Sequence, residues 1–194
     1  MTLRQLSRHW VVLAGLGAVL TAQAESGITA SAAAGASASA RLDFRVSVPK
    51  VIYVSVGTAT SMAANPTVDR VDFNVPAGDV GSGNPTSASS GTGGYPVVAR
   101  VVSNEANVSF TANGSLGGLT NGIQSIPWSQ IVPVAGGTLP HPVIGDGTAG
   151  AASNLTASGG VVDRSATWNF SYRNTAPLAA GNYGGQVTYT ASLP

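Results

Sequence analysis

The stretch Thr167-Trp168-Asn169-Phe170-Ser171-Tyr172 alternates polar and aromatic side chains without interruption. A strand sends successive side chains to opposite faces, so this order gathers all three aromatics on one side, whereas a helix would scatter them. The same two-residue rhythm returns at Val71, Phe73 and Val75, at Val108, Phe110 and Ala112, and at Val187, Tyr189, Ala191 and Leu193. Helical periodicity does not recur, so each run reads as a strand with one buried face. The aromatic face of 168–172 is accordingly read as core and not as a platform for stacking sugars.

Two further runs, Val51 to Val56 and Val97 to Val102, are rich in β-branched residues and predict central strands covered on both faces. Pro127 and Pro133 remove ladder donors from Ile126–Val134, which predicts a broken or edge strand. Between Pro76 and Tyr95 the chain is rich in Gly, Ser and Thr and reads as a mobile loop. The fold class expected is all-β: an immunoglobulin-like or Greek-key β-sandwich of about seven to nine strands, preceded by an extended N-terminal arm.

The arm has its own pattern. Every even position from Ile28 to Val48 is apolar: Ile28, Ala30, Ala32, Ala34, Ala36, Ala38, Ala40, Leu42, Phe44, Val46 and Val48. As one strand it would extend about 70 Å at roughly 3.3 Å per residue, several times a usual strand, so it should divide near Arg41. Leu42–Val48 is then an ordinary strand ending at Pro49. Ile28–Ala40 is an extended arm whose apolar face, Ile28, Ala30, Ala32, Ala34, Ala36, Ala38 and Ala40, is mostly methyl groups. Such an arm could lie in a groove of its own domain or of a neighbouring copy.

At the N-terminus Arg4 and Arg8 precede an uncharged apolar run, Trp10 to Leu20, followed by Thr21-Ala22-Gln23-Ala24. That is the pattern of a secretory signal peptide cut after Ala24. The run is too short for the roughly 20 residues of a spanning helix. The expected organisation is a signal peptide at 1–24, an Ala/Ser-rich arm at 25–40 and a β-sandwich domain at 41–194, with no transmembrane anchor in the mature chain. The full chain has nine Lys and Arg against eight Asp and Glu, and loss of Arg4 and Arg8 leaves a formal charge of −1. Nothing in that balance favours nucleic acid. With no cysteine, lipid attachment and disulfides are excluded, and stability must come from core burial or from partner chains. Charged residues make up 9% of the chain, against roughly 25% in an average soluble protein, a composition common among secreted, self-associating surface proteins.

A search for catalytic chemistry yields no catalytic, cofactor-binding or metal-ligating residues. Once the leader is cut, His141 is the one histidine left, between Pro140 and Pro142, and it reads as a turn or rim residue. The carboxylates are scattered; Asp146 with Asp163 is the nearest approach to a hydrolytic pair, and their spacing does not recommend it. Gly145-Asp146-Gly147 reads as a plain turn. Trp128, in Ile126-Pro127-Trp128-Ser129, has loop-like neighbours and is the best candidate for an exposed contact. The chain reads as a non-enzyme that needs no cofactor.

The segment Pro177-Leu178-Ala179-Ala180-Gly181-Asn182-Tyr183-Gly184-Gly185-Gln186-Val187-Thr188-Tyr189-Thr190 resembles the closing hairpin of secreted bacterial β-sandwiches of the fimbrial-subunit and spore-coat-U-like type, in which a Gly-x-Tyr turn precedes an alternating final strand. The resemblance implies an immunoglobulin-like subunit lacking one strand, completed by the N-terminal arm of the next subunit. Chaperone–usher subunits of that kind commonly carry a Cys pair and larger apolar residues on the arm, and this chain departs from them in both. The expected role is an exported structural or adhesive surface protein, a pilus- or coat-like subunit assembling by β-strand addition, with self-association through the arm and a periplasmic chaperone or envelope partner. The alternative is a secreted binding module for carbohydrate or an envelope partner, working through loops such as 77–94 and 135–160. Either would act in the periplasm, on the outer cell surface or outside the cell.

Overall fold

Alternating apolar residues produce a succession of strands beyond Pro49. The computed structural model describes residues 25–30, 34–59 and 61–193, and the expected signal peptide lies outside them. The chain divides between Val48 and Pro49. Beyond that division the described residues form thirteen strands: β1 (Ile52–Val56), β2 (Arg70–Asp72), β3 (Thr86–Ser87), β4 (Ser89–Thr92), β5 (Val97–Ser103), β6 (Asn107–Gly114), β7 (Leu119–Thr120), β8 (Ser125–Ile126), β9 (Ile131–Gly137), β10 (Ile144–Asp146), β11 (Ser153–Thr156), β12 (Val162–Tyr172) and β13 (Val187–Ser192). The expectation of an all-β sandwich holds. The larger number reflects short strands of two to four residues that sequence patterning does not separate from turns.

One sheet runs β1, β5, β12, with β9 along the far side of β12 and β3 continuing the line of β5 against the end of β12. The other has β6 at its centre, β13 on one side, and β11 and β10 in succession on the other. Chain order passes from β5 across to β6, back to β9, across to β10 and β11, back to β12, and across again to β13. Repeated crossing between two packed layers is the path of an all-β sandwich. The last crossing is pinned by Tyr183, whose hydroxyl lies 2.9 Å from the Ala179 carbonyl and 3.1 Å from Gln124 Oε1. A tyrosine bonded back to the backbone a few residues upstream is the corner device of such sandwiches. The segment 177–190 is therefore a corner between the two sheets, not a hairpin.

Side chains from the inner faces meet in one main core. Val97, Ala99 and Val101 of β5 face Val108 and Phe110 of β6, with Leu155, Val162, Ala166, Trp168 and Leu139 completing the cluster. A second cluster at one end joins Ile126, Trp128, Ile131 and Tyr172. The face formed by Trp168, Phe170 and Tyr172 is interior, as the alternation predicts.

Several expectations are corrected. β5 is central in its sheet yet covered on one face only: Val98, on its outer face, is 55% exposed, with no described strand laid over it. Val51–Val56 gives an edge strand, since β1 pairs with β5 alone among the described strands. The expected loop 77–94 carries β3 and β4, which pair with β12 and β2. Of the run Val71–Val75 only Val71 and Asp72 are strand, as the end of β2, though Phe73 and Val75 still pack on the second cluster.

The start of β1 is fixed by a side chain acting as backbone. The Val51 amide donates to Asn104 Oδ1 at 2.7 Å, and Asn104 Nδ2 donates to the Pro49 carbonyl at 2.7 Å. Pro49 has no N–H to offer a ladder, so this clamp takes over where strand pairing stops.

Candidate functional site

The core is sealed unevenly. Inward residues of β5, β6 and β12 are closed off, with Ala99, Val101, Phe110, Ala112 and Trp168 at 0% exposure. On β13 the inward residues Val187, Tyr189 and Ala191 are only half-buried, and on β1 so are Val54 and Val56. β1 and β13 approach each other across the two layers. Each is bonded to one neighbour, and among the described residues no strand lies along the outer side of either. A seam thus runs between two sheet edges, with Tyr189 and Ala191 on one lip and Val54 and Val56 on the other. An edge strand leaves alternate N–H and C=O groups free to pair. Here they sit beside apolar surface that is itself incompletely covered.

The segment before Pro49 has the opposite character. Leu42, Phe44, Val46 and Val48 are 76%, 87%, 86% and 72% exposed, and no strand forms over them. The expected strand Leu42–Val48 is therefore absent: its apolar side chains have found nothing to pack against, and alternation alone cannot hold a strand without a partner. The part before Arg41 is folded back on itself instead of extended. Arg41 pairs with Glu25 at 2.9 Å, Thr29 Oγ1 donates to the Ser37 carbonyl at 2.7 Å, and a Cβ on Gly27 would strike the Ser39 carbonyl. These contacts keep an antiparallel register around a turn at Gly35, which takes φ 94°. Of the expected arm residues, Ile28 and Ala30, with Ala34, Ala36, Ala38 and Ala40, are exposed; Ala32 lies outside the described residues.

His141 is not a rim residue. Its backbone is coil, as the flanking prolines predict, but the ring is enclosed by Trp168, Phe170 and Tyr189, with centroids at 4.6, 5.4 and 5.5 Å. Nδ1 lies 2.6 Å from the Pro142 carbonyl and Nε2 lies 2.8 Å from the Tyr189 hydroxyl. The carbonyl can only accept, so the proton sits on Nδ1 and Nε2 accepts from tyrosine. Burial pulls the histidine down to about 4 and pushes the Tyr189 phenol up. With both nitrogens engaged, this imidazole has no free lone pair for a substrate or a metal.

Trp128 is likewise inside. It is 7% exposed, its indole lies between Gly114 and Gly185, and Nε1 donates to the Ser115 carbonyl at 2.9 Å. The proline-flanked turn is real, a 3-10 turn over Trp128–Gln130. The residues that admit the ring belong to distant parts of the sequence. Asp146 accepts from the Gly117 amide at 2.6 Å, and Asp163 pairs with Arg100 at 2.8 Å, which lowers its pKa. The two carboxylates are committed to separate structural bonds. Among the described residues no group of three His, Cys, Asp or Glu is placed to hold a metal ion, and no helix is long and apolar enough to cross a membrane.

No family model, curated protein or solved structure matches this chain. The geometry is left to speak by itself. It supplies an apolar seam with unpaired backbone and, elsewhere in the chain, an exposed segment with the period of a strand. Both are suited to pairing with polypeptide. Sequence reasoning put the weight on the alanines of 28–40 and missed β13 as an open edge, because nothing in Val187–Ser192 says which of its sides is paired.

Proposed function

We propose that the protein is a structural subunit of an exported surface assembly, in which the seam between β1 and β13 receives residues Leu42–Val48 of another copy. The observation that carries this reading is the half-buried state of Val187, Tyr189 and Ala191 on a strand bonded along one side only. Leu42–Val48 fits such an edge in two respects. At roughly 3.3 Å per residue it is about 23 Å long, close to β13's six residues. Its even positions would enter the seam while Asp43, Arg45 and Ser47 face water.

Magnitudes favour this segment over Ile28–Ala40. Burying a Leu, Val or Phe is worth roughly 1.5–3 kcal/mol each, so four of them bring about 6–12 kcal/mol of gross stabilisation against an association cost of about 4–15 kcal/mol. Alanine methyl groups contribute far less, and backbone pairing along β13 must supply the remainder. A carrier that covers the open edge before assembly, such as a periplasmic chaperone, is consistent with the same surface. The alternating final strand, the part of the resemblance to fimbrial and spore-coat-U-like subunits that survives as β13, points the same way.

The test is the size distribution of the exported chain by size-exclusion chromatography. Phe44→Asp with Val46→Asp is expected to abolish higher assemblies, and deletion of 28–40 to retain them. A monomeric wild-type protein under all conditions, without a carrier bound, would contradict the reading.

A further inference from the structure

The coil between β9 and β10 is attached to β12 at its start and to β13 through His141. The Thr138 and Leu139 amides donate to the Ser165 carbonyl at 2.8 and 3.2 Å, and Trp168 Nε1 donates to the Leu139 carbonyl at 3.2 Å. His141 then reaches across to Tyr189, the central residue of the open lip, so one imidazole touches β12 through Trp168 and Phe170 and β13 through the tyrosine hydroxyl.

We infer that His141 and Tyr189 form an acid-sensitive catch that holds this coil against β13 and keeps the open edge in its strand-accepting form. The consequence for assembly rests on the function proposed above; the catch itself does not. In the neutral ring both nitrogens are satisfied, and the enclosure is aromatic. A protonated ring would carry its charge among three aromatic side chains with no carboxylate beside it. Among the described residues β13, β6 and the coil 138–143 bear no charged side chain, and on β12 Asp163 is bound to Arg100 while Arg164 donates to the Thr156 carbonyl. Tyr189 is the one titratable group in hydrogen-bond contact with the imidazole, and it remains neutral throughout the acid range. Protonation therefore favours conformations in which the coil has swung out and His141 meets water.

Linkage sets the size of the effect. With the ring at about 4 when enclosed and at its ordinary 6.5 when released, the opening constant rises about thirtyfold between about pH 8 and about pH 5. Amide hydrogen exchange on the whole chain reads this directly. Protection factors at Leu139 and along β13 should fall about thirtyfold over that range while those of β5 hold. His141→Gln, which keeps an acceptor near Nε2 and cannot take the proton, should flatten the dependence. Tyr189→Phe removes the hydroxyl that stabilises the neutral ring and should move the His141 NMR titration to higher pH.

Protection at Leu139 and β13 that does not change with pH, or changes equally in His141→Gln, would overturn the catch. Uptake of a synthetic Leu42–Val48 peptide by the same chain separates the two proposals. Binding at about pH 8 that weakens at about pH 5 supports both. Equal binding at the two values overturns the link between catch and edge but leaves strand addition standing. PH-dependent protection with no peptide bound at either pH leaves the catch standing and removes strand addition.

Discussion

Phe110 of β6 and Trp168 of β12 stack across the two layers with ring centroids 6.2 Å apart, and neither has any exposed surface. This contact joins the sheets at the centre of the main core. Trp168→Ala should therefore lower unfolding free energy by about 3–5 kcal/mol, measured by urea denaturation, whereas Val98→Ala on the open face of β5 should cost less than about 0.5 kcal/mol.

Stability should fall on acidification through His141. Its enclosed ring holds a pKa of about 4 against an ordinary 6.5, so the unfolded chain takes up the proton first. The contribution is fully present above about pH 6.5, declines as pH drops towards about 4, and reaches a total loss on the order of 3 kcal/mol. Urea midpoints across that window should track the loss, and His141→Gln should remove most of the slope.

Gly114→Ala should be destabilising even though the residue sits in a regular strand. A Cβ there would enter the Trp128 indole, which is backed on its other side by Gly185. Overpacking of this kind costs about 1–3 kcal/mol. A loss of near-ultraviolet circular dichroism from Trp128 should accompany the lowered melting temperature.

Tyr183→Phe removes the hydroxyl that ties the crossing between β12 and β13 to Ala179 and Gln124. The expected cost is about 1–2 kcal/mol, visible as a shift of the urea midpoint with an unchanged slope.

The alternation at 107–114, 162–172 and 187–192 made those strands legible from sequence, because a buried face must repeat every second residue. Trp128, His141 and Leu42–Val48 were not legible, each for a physical reason. Trp128 and His141 lie in proline-bordered coil, where local composition suggests exposure. What buries them is contributed from elsewhere: glycines at 114 and 185 for the tryptophan, aromatics at 168, 170 and 189 for the histidine. Leu42–Val48 has the rhythm of a strand, but whether a strand forms depends on a partner edge that sequence period cannot name. The open side of β13 is equally invisible in its residues, since alternation records which face is apolar and says nothing of which edge is bonded.

Because the native chain has no cysteine, strand addition can be tested by disulfide capture between two single-cysteine variants. Thr190→Cys, on the outer face of β13, is mixed in turn with Asp43→Cys, Arg45→Cys and Ser47→Cys, and the products are separated by non-reducing electrophoresis. The account predicts a covalent dimer of the two variants for at least one of the three pairings, and none when Val98→Cys replaces Thr190→Cys. Absence of dimer in all three pairings, or equal capture at Val98, would contradict it.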